Sequence, residues 1–409
     1  MKILPKIAWR NISRNKTRSI AILISIILSI WAGTYTIAFV NGLHQQRLSG
    51  QLENTLGHFK VVHPNFGPDK NSFYGIHSAQ KIIHYLKDQA DVKAFSPRVN
   101  CYGLALSTSS AYKVDIYGVR PAMEKQVFGL DKKIIQGQYL DQNAQNAVVI
   151  GEQLATQLNC KVGSKLALVV QNMRKDEFRQ YFYVKGIYQL RNSYYESSHV
   201  FVTDSALRAL LGVDNKLVHQ IVGKVIDIGQ VSQFTSQLKI YQQSNINTVL
   251  SWDEVAPELA YLEELMRGFF FIFMSIILTA CSLGVLNTIL VSVLERQQEI
   301  ALLIALGMGK RSVFIMILWE SLFLNSLALL SGLSLAGVSI QVSNYWGIDL
   351  SIWDDGLKML GFDNLIRPQL SLREYAQISL MVLVASVLAV IYPATKATQI
   401  QAPEVARKA

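Results

Sequence analysis

Long apolar runs punctuate this chain, separated by stretches in which apolar and polar residues alternate. Ser19–Val40 carries no charge over 22 residues and Gly268–Leu294 none over 27. Ser312–Val342 carries a single charge, Glu320, and Ile378–Tyr392 is a shorter uncharged run that Tyr375, Ala376 and Gln377 extend. A hydrocarbon core about 30 Å thick needs roughly 20 helical residues, so each run predicts a membrane-spanning helix, four in all. The first run is longer than the roughly 7 to 15 apolar residues of a secretory signal, and WAGTYTIAFVNGL lacks a convincing small-x-small cleavage site, which predicts an uncleaved helix.

Between the first two runs lie 224 residues, His44 to Arg267, enough for a core of their own. Their pattern is mixed α and β. HFKVVHP and AYKVDIYGV alternate as strands, and SAQKIIHYLKDQA has the period of an amphipathic helix. VVIGEQLATQLNCKVGSKLALVV reads as strand, helix, turn and strand, and QYFYVKGIYQL with HVFVTDSALRALLG as a strand pair leading into a helix. LVHQIVGKVI and GQVSQFTSQLKIYQQ repeat strand then helix. The expected fold is an α-helical membrane protein of four transmembrane helices, with a large α+β extracytoplasmic domain of two lobes inserted between the first and second spans.

Composition and charge set the orientation. Half of the 409 residues are apolar and 17% are charged, against about 25% in soluble domains. Six basic residues and no acid precede Ser19 (Lys2, Lys6, Arg10, Arg14, Lys16, Arg18), and Lys396, Arg407 and Lys408 follow the last run against Glu404 alone. Basic flanks stay inside, so both termini are expected in the cytoplasm of an inner (plasma) membrane protein. Residues 343–377, with five acids and three basics, are expected outside. The expected segments are an amphipathic N-terminal helix (1–18), the spans at 19–43, 268–294, 312–342 and 375–392, the outer domain (44–267), a cytoplasmic coupling helix (295–311), an outer loop (343–374) and a cytoplasmic tail (393–409). The net charge of +10 is accounted for by topology and anionic lipid, with no nucleic acid required.

Candidate chemistry is sparse. A P-loop needs Gly-x-x-x-x-Gly-Lys-[Ser/Thr]; aligned on Gly309 and Lys310, the first glycine position holds Ile304 and the hydroxyl position Arg311. The chain is therefore not expected to be an enzyme or to bind a cofactor or metal itself. Its histidines are isolated, with no His-Glu-x-x-His, Cys-x-x-Cys or Gly-x-Ser-x-Gly, and the nearest pair, His58 and His63, reads as structural. Cys281 lies inside a span, away from Cys101 and Cys160, and Cys160 fills an apolar slot that predicts a buried thiol rather than a bridge.

Three features point to coupling and packing. The turn after the second span is polar at Glu295, Arg296, Gln297, Gln298 and Glu299 and apolar from Ile300, so a helix there lies on the membrane face and offers its charged end to a cytosolic partner. Helical spacing puts Glu295 and Glu299 on one face. Glu320, about two turns into the third span, needs a partner: it can accept hydrogen bonds from groups at the base of the second span, or be protonated and donate one. Small residues recur at Ser25, Ser29, Gly33 and Thr36, and again at Ala280, Gly284 and Thr288, where helices of this chain or of a second copy approach.

LERQQEIALLIALGMGKRSVFIMILWESLFLNSLALLSG closely resembles the signature of the FtsX-like ABC permease family, Glu-Arg-x-x-Glu-Ile-x-x-Leu-x-Ala-x-Gly followed by a Glu and a Gly. Glu295, Arg296, Glu299, Ile300, Leu303, Ala305, Gly307, Glu320 and Gly332 occupy those positions. IAWRNISRNKTRSI, YPATKATQIQAPEVAR and the VVIGEQLATQLNCKVGSKLALVV segment are similar to its N-terminal helix, closing motif and periplasmic core domain. The resemblance implies a permease subunit that pairs with a second copy or a related permease and recruits two copies of a cytosolic ABC ATPase, which would bind ATP and Mg. It also implies mechanotransmission, the relay of ATPase movement through helices to the outer domain. The sequence carries no fused ATPase, which favours the lipoprotein-releasing branch, with a lipoprotein substrate or a periplasmic chaperone as outer partner; peptide or drug export of the MacB type and a non-transporting scaffold for cell-wall hydrolases are the alternatives. The loop QNMRKDEFRQ is shorter than the chaperone-capturing hook of lipoprotein-releasing subunits and lacks its proline.

Overall fold

A computed structural model describes residues 5–6, 8, 10, 16–66, 73–108, 110–142, 144–171, 176–190, 192–242, 246–354, 356–357 and 362–399. The chain divides into two compact units, one of residues 1–44, 263–351 and 365–409 and one of 45–262 and 352–364. Most of the expected N-terminal helix and the tail from 400 onward lie outside the described residues.

The first unit is helical. Four helices are long and apolar enough to cross a membrane: Lys16–Gln51, Pro257–Glu295, Lys310–Trp346 and Leu372–Thr398. At 1.5 Å per residue the first three each run roughly 55 Å, beyond an apolar core of about 30 Å, and their ends pass the limits expected from charge alone. His44–Gln51 contains no proline, so the first helix continues into the second unit and closes in a π-helical turn at Leu52–Leu56. The second helix starts at Pro257, a residue whose fixed φ and missing N–H suit the first turn.

Side-chain contacts join these helices. A Cβ on Gly33 would come within 2.7 Å of Ile277 on the second helix, and one on Gly332 within 3.0 Å of Ile30 on the first. Trp31 Nε1 donates to Ser339 Oγ at 3.0 Å, and the Tyr35 and Ser343 hydroxyls lie 2.6 Å apart. At the start of the fourth helix Ser371 and Glu374 form a capping box, the Glu374 carboxylate accepting from the Ser371 N–H at 2.7 Å. Its other oxygen accepts from Asn41 Nδ2 on the first helix at 2.6 Å.

The second unit is α+β around one ten-stranded sheet. β1 (Phe59–Val62), β9 (Gln220–Val225), β10 (Thr248–Ser251) and the first half of β2 (Val92–Leu106) form an antiparallel set in the order β10-β1-β9-β2. Phe59, Val61, Phe95, Ile221 and Val249 from these strands share a buried cluster with Ile82 and Leu86 of the helix Ala79–Asp88 and Phe234 and Leu238 of the helix Val231–Gln242. Beyond Arg98, β2 pairs with β3 (Ala111–Val119) and then also with β6 (Lys165–Gln171). The ladder continues through β8 (His199–Thr203), β5 (Ala147–Gly151) and β7 (Glu177–Tyr188) back to β6, so these six strands close on themselves and leave no edge in the ring. All six contribute to a second buried cluster, completed by Leu154, Leu158, Leu207 and Leu210 of the helices Glu152–Leu158 and Asp204–Leu211. Cys101 and Cys160 lie in that cluster as buried thiols, as the apolar slot of Cys160 predicts. β4 (Ile134–Gly137) ends the sheet beside β7.

Two polar groupings hold this unit. The Arg98 guanidinium pairs with Glu124, both side chains almost wholly buried, and lies 4.6 Å from the Phe128 ring centroid. At the π-helical turn, Lys224 Nζ donates to the Glu53 carbonyl at 2.8 Å and to its carboxylate at 2.6 Å, while His58 Nε2 lies 3.4 Å from the other carboxylate oxygen. His58 is structural: its Nδ1 accepts from the Val225 N–H at 3.2 Å. Burial raises the Glu53 pKa, but the hydrogen bond and charge of Lys224 outweigh it and the net shift is downward. Burial drives the His58 pKa below 6.5 despite Glu53.

Both shifts favour the folded state as pH rises. The neutral imidazole contributes fully above its ordinary 6.5 and the ionised Glu53 above its ordinary 4.5. Chemical denaturation of the second unit should therefore show stability falling below pH 6.5 and falling again below 4.5. Lys224→Ala should cost about 1–3 kcal/mol and remove most of the lower step; an unchanged acid profile in that variant would show that the pair does not anchor the turn.

Candidate functional site

The sequence marks the turn after the second long helix, and its backbone is built for a reversal. The second helix ends at Glu295 and Arg296 leaves helical geometry (φ −103°, ψ 18°) before a short helix, Gln297–Ala305. That helix closes with the Gly307 N–H on the Ile304 carbonyl at 3.0 Å and the Met308 N–H on Leu303 at 3.0 Å. Gly307 sits at φ +96°, a conformation that favours glycine. Gly309 then caps the third helix. The coupling helix is thus shorter than the expected 295–311, bounded by the kink at Arg296 and the glycines.

Because the chain breaks at Arg296, Glu295 and Glu299 belong to different helices, and the expectation that one helical face carries both is corrected. Arg296 occupies the space between acids. Its Nε donates to Glu299 at 3.0 Å and its Nη1 reaches both Glu320 oxygens at 3.2 Å, with 14% of the arginine and 17% of the Glu320 side chain exposed. Glu320 lies about 15 Å along the third helix from Lys310, where an uncompensated charge costs less than the roughly 2.5–3.5 kcal/mol of a helix centre but still calls for a partner. The structure supplies the partner expected at the base of the second helix, and that partner is Arg296 itself.

The short helix has two sides. Ile300 and Ala301 are buried, and Ile300 joins the helical core with Val293, Val313 and Ile317. Leu303 is half-buried, while Glu295, Gln298, Glu299 and Gly307 are exposed. Leu302 and Leu306, four residues apart, are 61% and 77% exposed. The sequence signature does not contain this apolar pair; helical spacing relates the two leucines, but which face the rest of the chain covers is a tertiary property.

The small-residue stripes divide in the same way. Gly33 is spent on intrachain contact with Ile277, and the Ser29 hydroxyl donates to the Ser25 carbonyl at 2.9 Å. Ala280 and Gly284 are exposed, and a Cβ at Gly284 would meet nothing within 4 Å. The side chain of Thr288 lies outside the described residues. No group of three or more metal-ligating side chains occurs among the described residues.

Four helices long and apolar enough to cross a membrane, an α+β domain inserted after the first, and a glycine-bounded turn pinned by an arginine are the architecture of a multi-span protein with a large inserted domain. The FtsX-like permease C-terminal model matches residues 271–402 and the MacB-like periplasmic core domain model matches residues 19–241. The chain belongs to this family, that of FtsX-like permeases with a MacB-like periplasmic core domain, and is an ABC transporter permease of the MacB/LolCE type. It is 21% identical to the lipoprotein-releasing system transmembrane protein LolE of Haemophilus influenzae, over 81% of each chain. It is 22% identical to the corresponding LolC of Neisseria meningitidis serogroup B, over 93% of this chain and 92% of that one. An uncharacterized ABC transporter permease of Methanocaldococcus jannaschii is 23% identical over 78% and 80%. Among solved structures, the periplasmic region of MacB from Actinobacillus actinomycetemcomitans covers 54% of this chain and 95% of its own at 15% identity, with a TM-score of 0.37.

Removing Arg296 takes from Glu320 its ion-pair partner, and removing Glu320 leaves Arg296 paired with Glu299 alone. Arg296→Leu or Glu320→Leu alone should destabilise the helical unit by about 1–3 kcal/mol in detergent, and the double variant should recover most of that loss. Simple additivity in the double-mutant cycle would mean that the two do not interact.

Proposed function

We propose that this chain is the membrane subunit through which a separate cytosolic ATPase drives release or extraction of lipoproteins from the inner membrane. The observation that carries the mechanical part is Arg296, held between Glu299 and Glu320, which ties the kink after the second helix to the third. Two ATPase copies, holding the ATP and Mg, would dock on the turn from the cytoplasm, with both termini on that side. Glu295 and Glu299 would meet basic groups there, and Leu302 and Leu306 would enter an apolar groove. Ile300, Leu303 and Gly307 would set the turn's seat and shape.

A push on the turn would pass through the Arg296–Glu320 tie into the third helix rather than being absorbed by bending, and through the long helices to the outer domain. There two lobes would shift against each other about β2, which contributes to the buried clusters of both the open set of strands and the closed ring. A second copy or a related permease would pack on the stripe of Ala280 and Gly284. The release reading rests on relatives named as lipoprotein-releasing proteins that align over most of their length. An outer chaperone would be a further partner, but the short, proline-free segment 171–180 argues against its docking there directly; residues 172–175 of that segment lie outside the described residues.

The test is co-expression with the ATPase, reconstitution into proteoliposomes, and counting of an acylated lipoprotein released per ATP hydrolysed. Glu320→Leu should leave the complex assembled and hydrolysing while release per ATP falls about tenfold or more, and Glu320→Gln, which keeps hydrogen-bonding capacity, should be milder. Reversing Glu295 and Glu299 to Lys should cut ATPase co-purification with membrane insertion intact. Wild-type release per ATP in the Leu variant rejects the relay. Export of a drug or peptide without lipoprotein release, or activation of a cell-wall hydrolase, rejects the substrate.

Cysteines separate the packing roles. A cysteine at Gly284 should crosslink to a second permease, whereas one at Gly33 should not, because Ile277 already fills that space. A complex that binds its ATPase with a lone permease would exclude the paired arrangement.

A further inference from the structure

A cavity of about 550 Å³ in the second unit has the size of a ligand site. Its lining is wrong for an acyl chain or a drug, whose sites are mostly apolar. Ile134, Ile135 and Leu190 are its apolar residues, no aromatic ring lines it, and six neutral amides share the wall with four carboxylates and two lysines. Three of the amides, Gln51, Asn54 and Gln153, make no side-chain hydrogen bond to the protein among the described residues, and so present donors and acceptors together. Glu152 is already engaged, accepting from Gln189 at 2.6 Å.

This wall is reached by β4 through Ile134 and Ile135. β4 ends the sheet: it pairs with β7 in the register Ile134↔Tyr188, Gln136↔Ile187 and Gly137↔Gly186, and no strand among the described residues pairs with its other side. Ile135, Gln136 and Gly137 are exposed, Ile135 by 43%. Lys132 and Lys133 precede them, a common guard against unwanted pairing at a sheet edge, but the three exposed positions themselves carry no charge. An open strand edge beside neutral amides matches the main chain of an extended polypeptide, which has a donor and an acceptor at nearly every residue.

We infer that this cavity is a polypeptide-binding site in which an extended segment adds to the free edge of β4, its main chain held by β4 and flanked by Gln51, Asn54 and Gln153. Recognition is by backbone, so the order of polar side chains in the bound segment matters little. The inference does not depend on what the transporter releases.

The test uses the full-length chain in lipid nanodiscs and a synthetic peptide of about eight residues, drawn from Ser, Asn, Ala and Thr and carrying a benzophenone; it outreaches the 4 residues of β4. Saturable photolabelling should map to residues 132–137 and to the faces of Gln51, Asn54 and Gln153. A reordered peptide of the same composition should bind equally. A peptide N-methylated at alternate amides, which cannot donate to a strand edge, should bind about tenfold more weakly, the effect of losing one or two hydrogen bonds. Ile135→Pro should weaken the parent peptide similarly and Ile135→Val should not. Equal binding of the N-methylated peptide, displacement by an oligosaccharide or a phosphoglycerol headgroup, labelling elsewhere on the unit, or no saturable labelling up to about 1 mM peptide would each overturn the assignment.

Discussion

Hydrocarbon offers no hydrogen bonds, and the helical unit is organised around that constraint. Backbone groups are satisfied within continuous helices, and polar side chains must find partners along or between them. Arg296 meets this demand for two carboxylates, closing Glu299 on its own turn and Glu320 on the next helix. Ser321 and Asn325 solve it locally, the asparagine amide donating to the Ser321 carbonyl and hydroxyl at 2.9 Å. Trp31–Ser339 and Asn41–Glu374 solve it between helices. The Arg296–Glu320 and Trp31–Ser339 pairs are also mechanical ties, because separating them would leave a polar group with little water to replace the partner.

The outer unit meets a different constraint, the exposed strand edge. Six strands remove the problem by closing on themselves, and β2 makes the closure compatible with a second, open set of strands by pairing with β9 in its first half and with β6 in its last residues. One strand therefore belongs to both hydrophobic clusters. Arg98, at the changeover, is held by Glu124 and by the ring of Phe128. At the other end of the same construction, Lys224 and His58 fasten the π-helical turn with which the first long helix enters the sheet.

Much of this was legible beforehand because its causes are local. Four helices follow from apolar run length, and β1, β3, β5, β7, β8 and β9, with the helices that follow β5, β8 and β9, follow from alternation. The turn was recognisable from Glu295 to Gly307, where glycines and charges sit at fixed spacing. β2 was not, because Pro97 and Gly103 interrupt it and buried Arg98 and Asn100 read as polar surface; their burial depends on partners far away in sequence. β4 and β10, four residues each, fall in stretches assigned to no element from sequence alone.

By itself, then, the sequence determined that four runs are long and apolar enough to cross a membrane, that a domain separates the first from the second, and that the Gly309–Lys310 pair lacks the register of a P-loop. Run length, charge asymmetry and motif register are properties of neighbouring residues, and neighbouring residues suffice to read them. The tertiary structure alone decided that Arg296 breaks the helix and turns to Glu320, that Gly33 faces Ile277 while Gly284 faces open space, and that Leu302 and Leu306 stay uncovered. Each of those outcomes depends on which surfaces meet, and a pattern along one chain specifies that a face is apolar without specifying what will cover it.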